Sequence, residues 1–308
     1  MPEAKLLQGK PLAQKIQEEI RLEIENFRRQ KLETPQLTSF QVTDNPASRW
    51  YVGEQRKLAS QLGIGFKEVP PRDTKLPSQL MDQIRKASDS KAHGLFVAQP
   101  LPEGFDAIPI FRVFNYQKDV EGIHPFNLGL LVLRKPRLIP STALAAFTLI
   151  ESTGVNLRGK RAVVIGQSAV VGRPVEILLG DKRATTTVCN MGTSEEVLKE
   201  AVSQADIVVA SAGKPGLVRG EWIKEGAIVI DVGTTEVHRT PTGSGTLQSL
   251  PAQARAEVKG TLVGDVEFEG ARRRAAFITP VPGGVGPLTV TILMKNLITA
   301  YKWQKGLS

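Results

Sequence analysis

The sequence holds a single cysteine, Cys189, only three histidines, and aromatic residues at 6% of 308 positions. One thiol closes no internal disulfide, and His93, His124 and His238 lack the spacing of a zinc site, so neither a disulfide framework nor a metal centre is expected. No apolar run reaches the ~18 to 20 residues of a membrane-spanning helix. Met1 to Lys10 carries no apolar segment behind its charges. These absences argue against a membrane protein and against secretion by a signal peptide, and for a reducing cytoplasm. Acidic residues are in the minority, 31 against 40 Lys and Arg, which leaves +9 and a long-range pull on anions. The basic residues are spread out, with only short clusters such as Arg272-Arg273-Arg274, and no RNA or DNA motif of interleaved basic and aromatic residues appears. Small anionic ligands therefore fit better than nucleic acid.

Apolar residues at 41% and charged residues at 23% are the balance of a globular chain. A length of 308 predicts two domains, each able to close a core. Ile16, Ile20, Ile24 and Phe27 recur at helical spacing on one face. Leu37 to Val42 reads as a strand, and Asp44 to Ser48 supply turn residues and an N-cap for a helix over Arg49 to Leu62 that Gly63 ends. A helix over Pro77 to Ala87 and a strand over Gly94 to Ala98 follow, and prolines at 100 and 102 stop further pairing. A helix over Ser141 to Ser152 precedes a second alternation. Its strands are Ala162 to Ile165, Thr185 to Cys189, Ile207 to Ala210 and Ala227 to Val232, and its helices cover Arg173 to Leu179 and Ser194 to Val202. Such alternation predicts two α/β domains, the second a Rossmann-like, doubly wound parallel sheet. The expected division is 1–147, 148–287 and a C-terminal helix in 288–308, with Leu288 to Trp303 crossing back to the first domain. Residues 234–258, rich in Pro, Gly, Ser and Thr, read as an exposed insertion.

The strand over 162–165 runs directly into Gly166-Gln167-Ser168-Ala169-Val170-Val171-Gly172-Arg173-Pro174. In a strand–turn–helix of this kind, backbone N–H groups and a helix N-terminus face a pyrophosphate. Ser168 stands where the usual fingerprint has its middle glycine, so the match is partial, and a plain βα turn is the competing reading. Candidate dinucleotide contacts are Gly166, Gln167, Ser168, Val171, Gly172, Arg173, Asn190, Gly213 and Gly233. The second strand ends in Cys189-Asn190-Met191-Gly192, without the acidic residue that holds a ribose or an arginine for a ribose phosphate. NAD and NADP both stay open, with Arg173, Arg183, Thr193 and Ser194 available to a phosphate.

Several stretches together resemble the methylenetetrahydrofolate dehydrogenase/cyclohydrolase family. They are Ser48-Arg49-Trp50-Tyr51-Val52, Gln99-Pro100-Leu101-Pro102, Lys118-Asp119-Val120-Glu121-Gly122, the Gly166–Pro174 turn, Gly213-Lys214-Pro215-Gly216, Gly226 to Gly233, and Thr279-Pro280-Val281-Pro282-Gly283-Gly284-Val285-Gly286-Pro287. The resemblance implies a subunit of a homodimer, a folate cleft between two domains, a nicotinamide cofactor, and hydride transfer followed by hydrolysis of the methenyl product. It also implies that Tyr51 and a lysine one helical turn later handle protons. In this family pattern a glutamine tunes the lysine, an aspartate anchors the pterin, and Pro282, Gly283 and Gly284 approach the substrate.

This sequence departs from that pattern at three of the four positions. Gln55 replaces the lysine and has no titratable group. Ala98 replaces the glutamine, with Gln99 beside it, and Glu121 replaces the aspartate. The expected catalytic residues are Tyr51, Gln55 and Gln99, and the expected substrate contacts are Tyr51, Ala98, Glu121, Pro282, Gly283 and Gly284. Three readings stay open: a dehydrogenase with weak or lost cyclohydrolase activity, a bifunctional enzyme in which Gln99 or Lys57 is repositioned, and a catalytically silent folate- and nucleotide-binding protein.

Overall fold

The computed structural model describes residues 3–238 and 260–307. In chain order the strands and helices begin β1 (Lys5–Leu6), α1 (Gly9–Arg29), β2 (Gln36–Phe40), α2 (Pro46–Leu62), β3 (Gly65–Val69), α3 (Pro77–Ser88), β4 (Gly94–Val97), α4 (Ala107–Arg112), α5 (Pro125–Val132) and α6 (Ser141–Glu151). They continue with β5 (Arg161–Ile165), α7 (Gly172–Asp181), β6 (Thr185–Cys189), α8 (Glu195–Gln204), β7 (Ile207–Ala210) and β8 (Ile228–Asp231). After β9 (Thr235–His238) and β10 (Gly260–Val263) come the short helix Phe268–Arg272, β11 (Phe277–Ile278) and the C-terminal helix Val285–Lys305. The chain divides into two compact units, Lys10–Ala145 with Pro287–Ser308, and Met1–Gly9 with Ala146–Gly286.

In the first of these units β2 lies between β3 and β4 in a parallel sheet, with Leu37 opposite both Phe66 and Gly94. Every residue of β4 is buried, as expected of a strand covered on both faces. The apolar stripe of α1, Ile16, Ile20, Ile24 and Phe27, is buried, and Phe27 packs on Tyr301 of the C-terminal helix with ring centroids 4.7 Å apart. Asn45 caps α2 by accepting from the Ser48 N–H at 2.7 Å, with Pro46 at the first turn, so this helix starts three residues earlier than the periodicity predicts. Gly63 closes it at φ 72°, a conformation that favours glycine.

The other unit is a six-stranded parallel sheet in the order β1-β11-β8-β7-β5-β6. Counted from β5, the chain fills positions 2-1-3-4-5, a doubly wound order that reverses direction between β5 and β7. Ligands in such sheets bind outside the carboxyl ends of the strands at this reversal.

The sequence expectation changes in three respects. The strand β3, the edge strand β1 and the two-residue β11 carried no periodicity long enough to be read. The first nine residues do not join the segment up to 147: β1 pairs with β11, placing them with the six-stranded sheet. The supposed insertion at 234–258 begins as structure, because β9 pairs antiparallel with β10 from Thr235↔Val263 to His238↔Gly260. The rest of that expectation, from 239 onward, lies outside the described residues.

Candidate functional site

Two groups of chemistry-bearing residues form, one in each unit. At the reversal point of the six-stranded sheet, β5 ends in Gly166 at φ 111°. A Cβ there would lie 2.4 Å from the Ser211 carbonyl oxygen at the end of β7, and a Cβ on Gly172 would lie 2.0 Å from the Gly166 carbonyl oxygen. Both contacts are far inside van der Waals range, so the turn closes this tightly only with glycine at both ends. The Ser168 hydroxyl accepts from the Val171 N–H at 3.0 Å, and its carbonyl accepts from the Arg173 N–H at 3.2 Å. Serine thus takes the middle position by fastening the turn internally. Gln167, Ser168 and Arg173 are exposed at the N-terminus of α7, free to meet an anion there. This cradle fits the pyrophosphate of a dinucleotide.

Beyond β6, the Asn190 carboxamide accepts from the Gly192 N–H and the Thr193 hydroxyl from the Asn190 N–H, both at 2.9 Å, while Met191 is fully exposed. Cys189 is buried and its thiol is pushed up by that burial, the state of a small core residue. Gly213 and Gly233 are tied together through two carboxylates, Asp265 and Asp231, the first of which sequence reading missed. Asp265, fully buried, accepts from the Ala212 N–H at 2.6 Å and the Gly213 N–H at 3.0 Å. Asp231 in turn accepts from the N–H groups of Gly233, Asp265 and Val266 at 2.9–3.0 Å. Burial pushes the carboxyl of Asp231 up to about 6 and that of Asp265 upward, against the pull of these N–H groups. Together they lash three loops at the carboxyl ends of the strands. The only sequence signal for Asp265 was its place between Gly264 and Val266.

Pro282, Gly283 and Gly284 lie in this same unit. Gly283 sits at φ 111° and accepts from the Gly9 N–H at 3.0 Å, and a Cβ on Gly284 would lie 2.7 Å from the Pro280 carbonyl oxygen.

The second group lies in the three-stranded unit. Tyr51 and Gln55, one turn apart on α2, project from the same helix face. Gln55 is fully buried; its carboxamide oxygen accepts from the Ser39 hydroxyl of β2 at 3.0 Å, and its nitrogen has no partner. Tyr51 packs on Phe96 of β4 with centroids 5.5 Å apart, and its phenol faces Glu121 and Ser141. Burial and the Glu121 charge hold that phenol well above its ordinary range.

Glu121 is 7% exposed; one carboxyl oxygen accepts from the Ser141 hydroxyl at 2.9 Å and the other has no partner. Burial, with the Asp119 charge adding, pushes it up to about 8. Asp119 itself accepts from the N–H groups of Gly122 and His124 and from Asn127 at 2.8–3.0 Å, and reaches only about 6. The segment is fixed from the far end of the chain: the Asn296 carboxamide donates to the carbonyls of Val120 and Ile139 at 2.9 and 2.8 Å. Gly122, at φ 76°, leaves no space for a side chain, since a Cβ would lie 2.5 Å from the Ile139 backbone.

The bulge that would bring Gln99 into the place of Ala98 is not formed, and Lys57 is not turned toward Tyr51. The β2–β4 register runs without a bulge through Phe40↔Val97, and the Ala98 N–H continues it to the Phe40 carbonyl at 2.9 Å. Ala98 is therefore buried and presents only a methyl group, and Gln99 is exposed, its backbone carbonyl taken by the Ser48 hydroxyl at 3.1 Å. Lys57 is exposed 3.8 Å from Glu54, and Arg56 pairs with Glu68. His124 serves as N-cap of α5, accepting from the Phe126 N–H at 3.0 Å.

A doubly wound parallel sheet with a glycine-closed turn at its reversal point, carried on one chain with a second α/β unit in which a phenol faces a buried carboxyl and a buried amide lies one helical turn away, defines a dinucleotide-dependent enzyme. Comparisons make the class specific. Residues 140–305 match the tetrahydrofolate dehydrogenase/cyclohydrolase NAD(P)-binding domain and residues 7–121 its catalytic domain. The bifunctional protein FolD of Acidithiobacillus ferrooxidans is 41% identical over 305 residues, 98% of each chain. The methylenetetrahydrofolate dehydrogenase-cyclohydrolase (FolD) of Trypanosoma brucei, solved with NADP and an inhibitor, superposes with a TM-score of 0.88 at 38% identity over 99% of both chains. A 5,10-methylenetetrahydrofolate dehydrogenase from the silkworm Bombyx mori gives 0.85 at 31% identity over 98% of this chain and 99% of that one. The chain belongs to the tetrahydrofolate dehydrogenase/cyclohydrolase family and is an NAD(P)-linked enzyme of that family. Among the described residues no helix is long and apolar enough to cross a membrane, and no three His, Cys, Asp or Glu gather as a metal site.

Proposed function

We propose that this enzyme oxidises 5,10-methylenetetrahydrofolate and that its hydrolysis of the methenyl product is weakened. NAD(P), when bound, supplies the hydride acceptor. The chain's part in that step is positioning: the Gly166–Arg173 turn holds the pyrophosphate, the Asp231–Asp265 pair sets the loops of Gly213 and Gly233, and Tyr51, Gln55 and Glu121 receive the folate ring. No proton shuttle is required for it.

Hydrolysis is different. Water that adds to the methenyl carbon must lose a proton, and the ring nitrogen that leaves must gain one. The single observation that carries the proposal is the state of Gln55: a buried amide one turn from Tyr51, held by Ser39, able to donate and accept hydrogen bonds but not to transfer a proton. A second reading, that both activities persist, draws support from Glu121, whose carboxyl titrates at about 8 and is thus able to exchange a proton near neutral pH, and from relatives named as bifunctional.

Absorbance assays with methylenetetrahydrofolate and each dinucleotide separate the readings. Cofactor reduction with accumulating methenyl product supports the weakened enzyme, and prompt enzyme-dependent conversion to formyl product supports the bifunctional one. No reduction with either dinucleotide refutes both. The proposal includes a homodimer, which light scattering of the purified protein tests.

A further inference from the structure

Glu121 receives a hydrogen bond from the protein at only one of its two carboxyl oxygens. Ser141 donates to one oxygen, and the other, Oε2, is buried with no donor in reach. A carboxylate accepts up to about four hydrogen bonds, and leaving it with one in a buried place costs more than leaving the neutral acid there. The groups that face it do not compensate. From α2 comes the Tyr51 phenol; from its own segment comes Asp119, a second carboxyl; from α6 comes the Ser141 hydroxyl. Lys118, three residues earlier, is turned away and spends its ammonium on the Ser88 and Ser90 carbonyls at 2.6 and 3.0 Å.

Of the two carboxyls, Asp119 has the three donors and retains the negative charge more readily, which makes a second charge beside it still less favourable. The proton of the pair therefore sits on Glu121, and on Oε2, because the Ser141 hydrogen already points at Oε1.

Resting on the folate-site reading above, we infer that Glu121 meets its substrate as a neutral carboxylic acid and donates the Oε2 hydrogen to an acceptor atom of the reduced folate ring. The Gln55 nitrogen, one helical turn from Tyr51 and also buried and unpartnered, is a second uncharged donor for the same ligand. The two changes from the family pattern then belong together: with no cation at position 55, a neutral acid at 121 adds no second charge beside Asp119.

The test is the affinity of the full-length protein for 5-formyltetrahydrofolate, a stable reduced folate, by calorimetry from pH 6.5 to 9.5. With a carboxyl that titrates at about 8, ionisation removes the donor, and Kd should rise about tenfold between pH 7 and pH 9. Glu121→Gln keeps an N–H donor in the same place, so it should bind within about threefold of the parent at pH 7 and show no such rise. Glu121→Ala should bind at least tenfold more weakly at every pH. A flat profile in the parent, or a Gln variant as weak as the Ala variant, overturns the inference. Should a variant fail to fold, infrared difference spectra of the parent decide: the carbonyl band of a protonated carboxylic acid must be present at pH 7 and lost by pH 9.5. Failure of the parent to bind the folate at any pH refutes the functional reading itself, a distinguishable outcome.

Discussion

Substituting Glu121 by Gln should make the protein more stable in alkaline solution, although it deletes an acidic group from a site with a hydrogen-bonding partner. The carboxyl ordinarily titrates at 4.5 and is pushed up to about 8 in the folded protein, first by burial and then by Asp119. Between those values the native state retains a proton that the unfolded chain has lost. The stability from this residue is therefore fully present below about pH 4.5 and is lost as pH rises through about 8. At about 1.36 kcal/mol per pH unit the gap corresponds to roughly 5 kcal/mol, and relaxation around the new charge brings the measurable part to roughly 3 to 5 kcal/mol. Glutamine has the same shape and does not ionise, so the variant escapes the loss. Urea unfolding at pH 5 and pH 9, followed by amide protection in β2 and β4, reports the unit that holds the residue. The difference between parent and variant should move in favour of the variant by that amount from pH 5 to pH 9. Contributions from Asp119 and Asp231 largely cancel in the comparison. A difference constant within about 1 kcal/mol would refute the argument, because it would mean that the carboxyl is already ionised in the folded protein.

Gln55→Lys returns a titratable group to a buried position one helical turn from Tyr51 and should raise enzyme-dependent methenyl decay by about a hundredfold, the lower range for general acid–base catalysis; a folded variant without gain would show that the other changes have dismantled the hydrolytic site. Gly172→Ala forces a Cβ to within 2.0 Å of the Gly166 carbonyl oxygen. Opening the turn should cost about 1 to 3 kcal/mol and raise KM for the dinucleotide at least tenfold with KM for the folate unchanged, as initial rates would show. Asp265→Ala strands the Ala212 and Gly213 N–H groups and should also weaken dinucleotide binding about tenfold or more, whereas Asp265→Asn keeps one acceptor and should recover most of it in the same titration.

Much of the nucleotide-binding turn was legible from local pattern. A buried strand running into Gly166 and Gly172 at the start of a helix stated both the backbone demand and its place, and the structure adds only what each glycine avoids. The strands Thr185–Cys189 and Ile207–Ala210 matched to the residue, because continuous apolar or β-branched runs between polar turns leave little choice of boundary. Position 55 was equally readable, since helix geometry alone puts it one turn from Tyr51.

Other features had no local signature. Asp265 looks like any acidic residue after a strand, and Asp231 reads from sequence only as a strand-end candidate or turn cap; their joint role arises from N–H groups of loops more than thirty residues apart in sequence. The two residues of β1 become a strand only because β11 offers an edge.

The sequence by itself determined the period of each helix and strand, the glycines at the turn and the loss of the lysine, all of which depend on residues within a few positions of one another. Tertiary structure decided the strand order, the exclusion of Gln99 and Lys57 from the cluster, and the protonation of Glu121. That last property depends on the burial that packing brings and on the Asp119 charge, against the hydrogen bond from Ser141 twenty residues later. A carboxyl's affinity for its proton is set by the solvent it loses and the charges and donors it meets, and the chain supplies these only when it is folded.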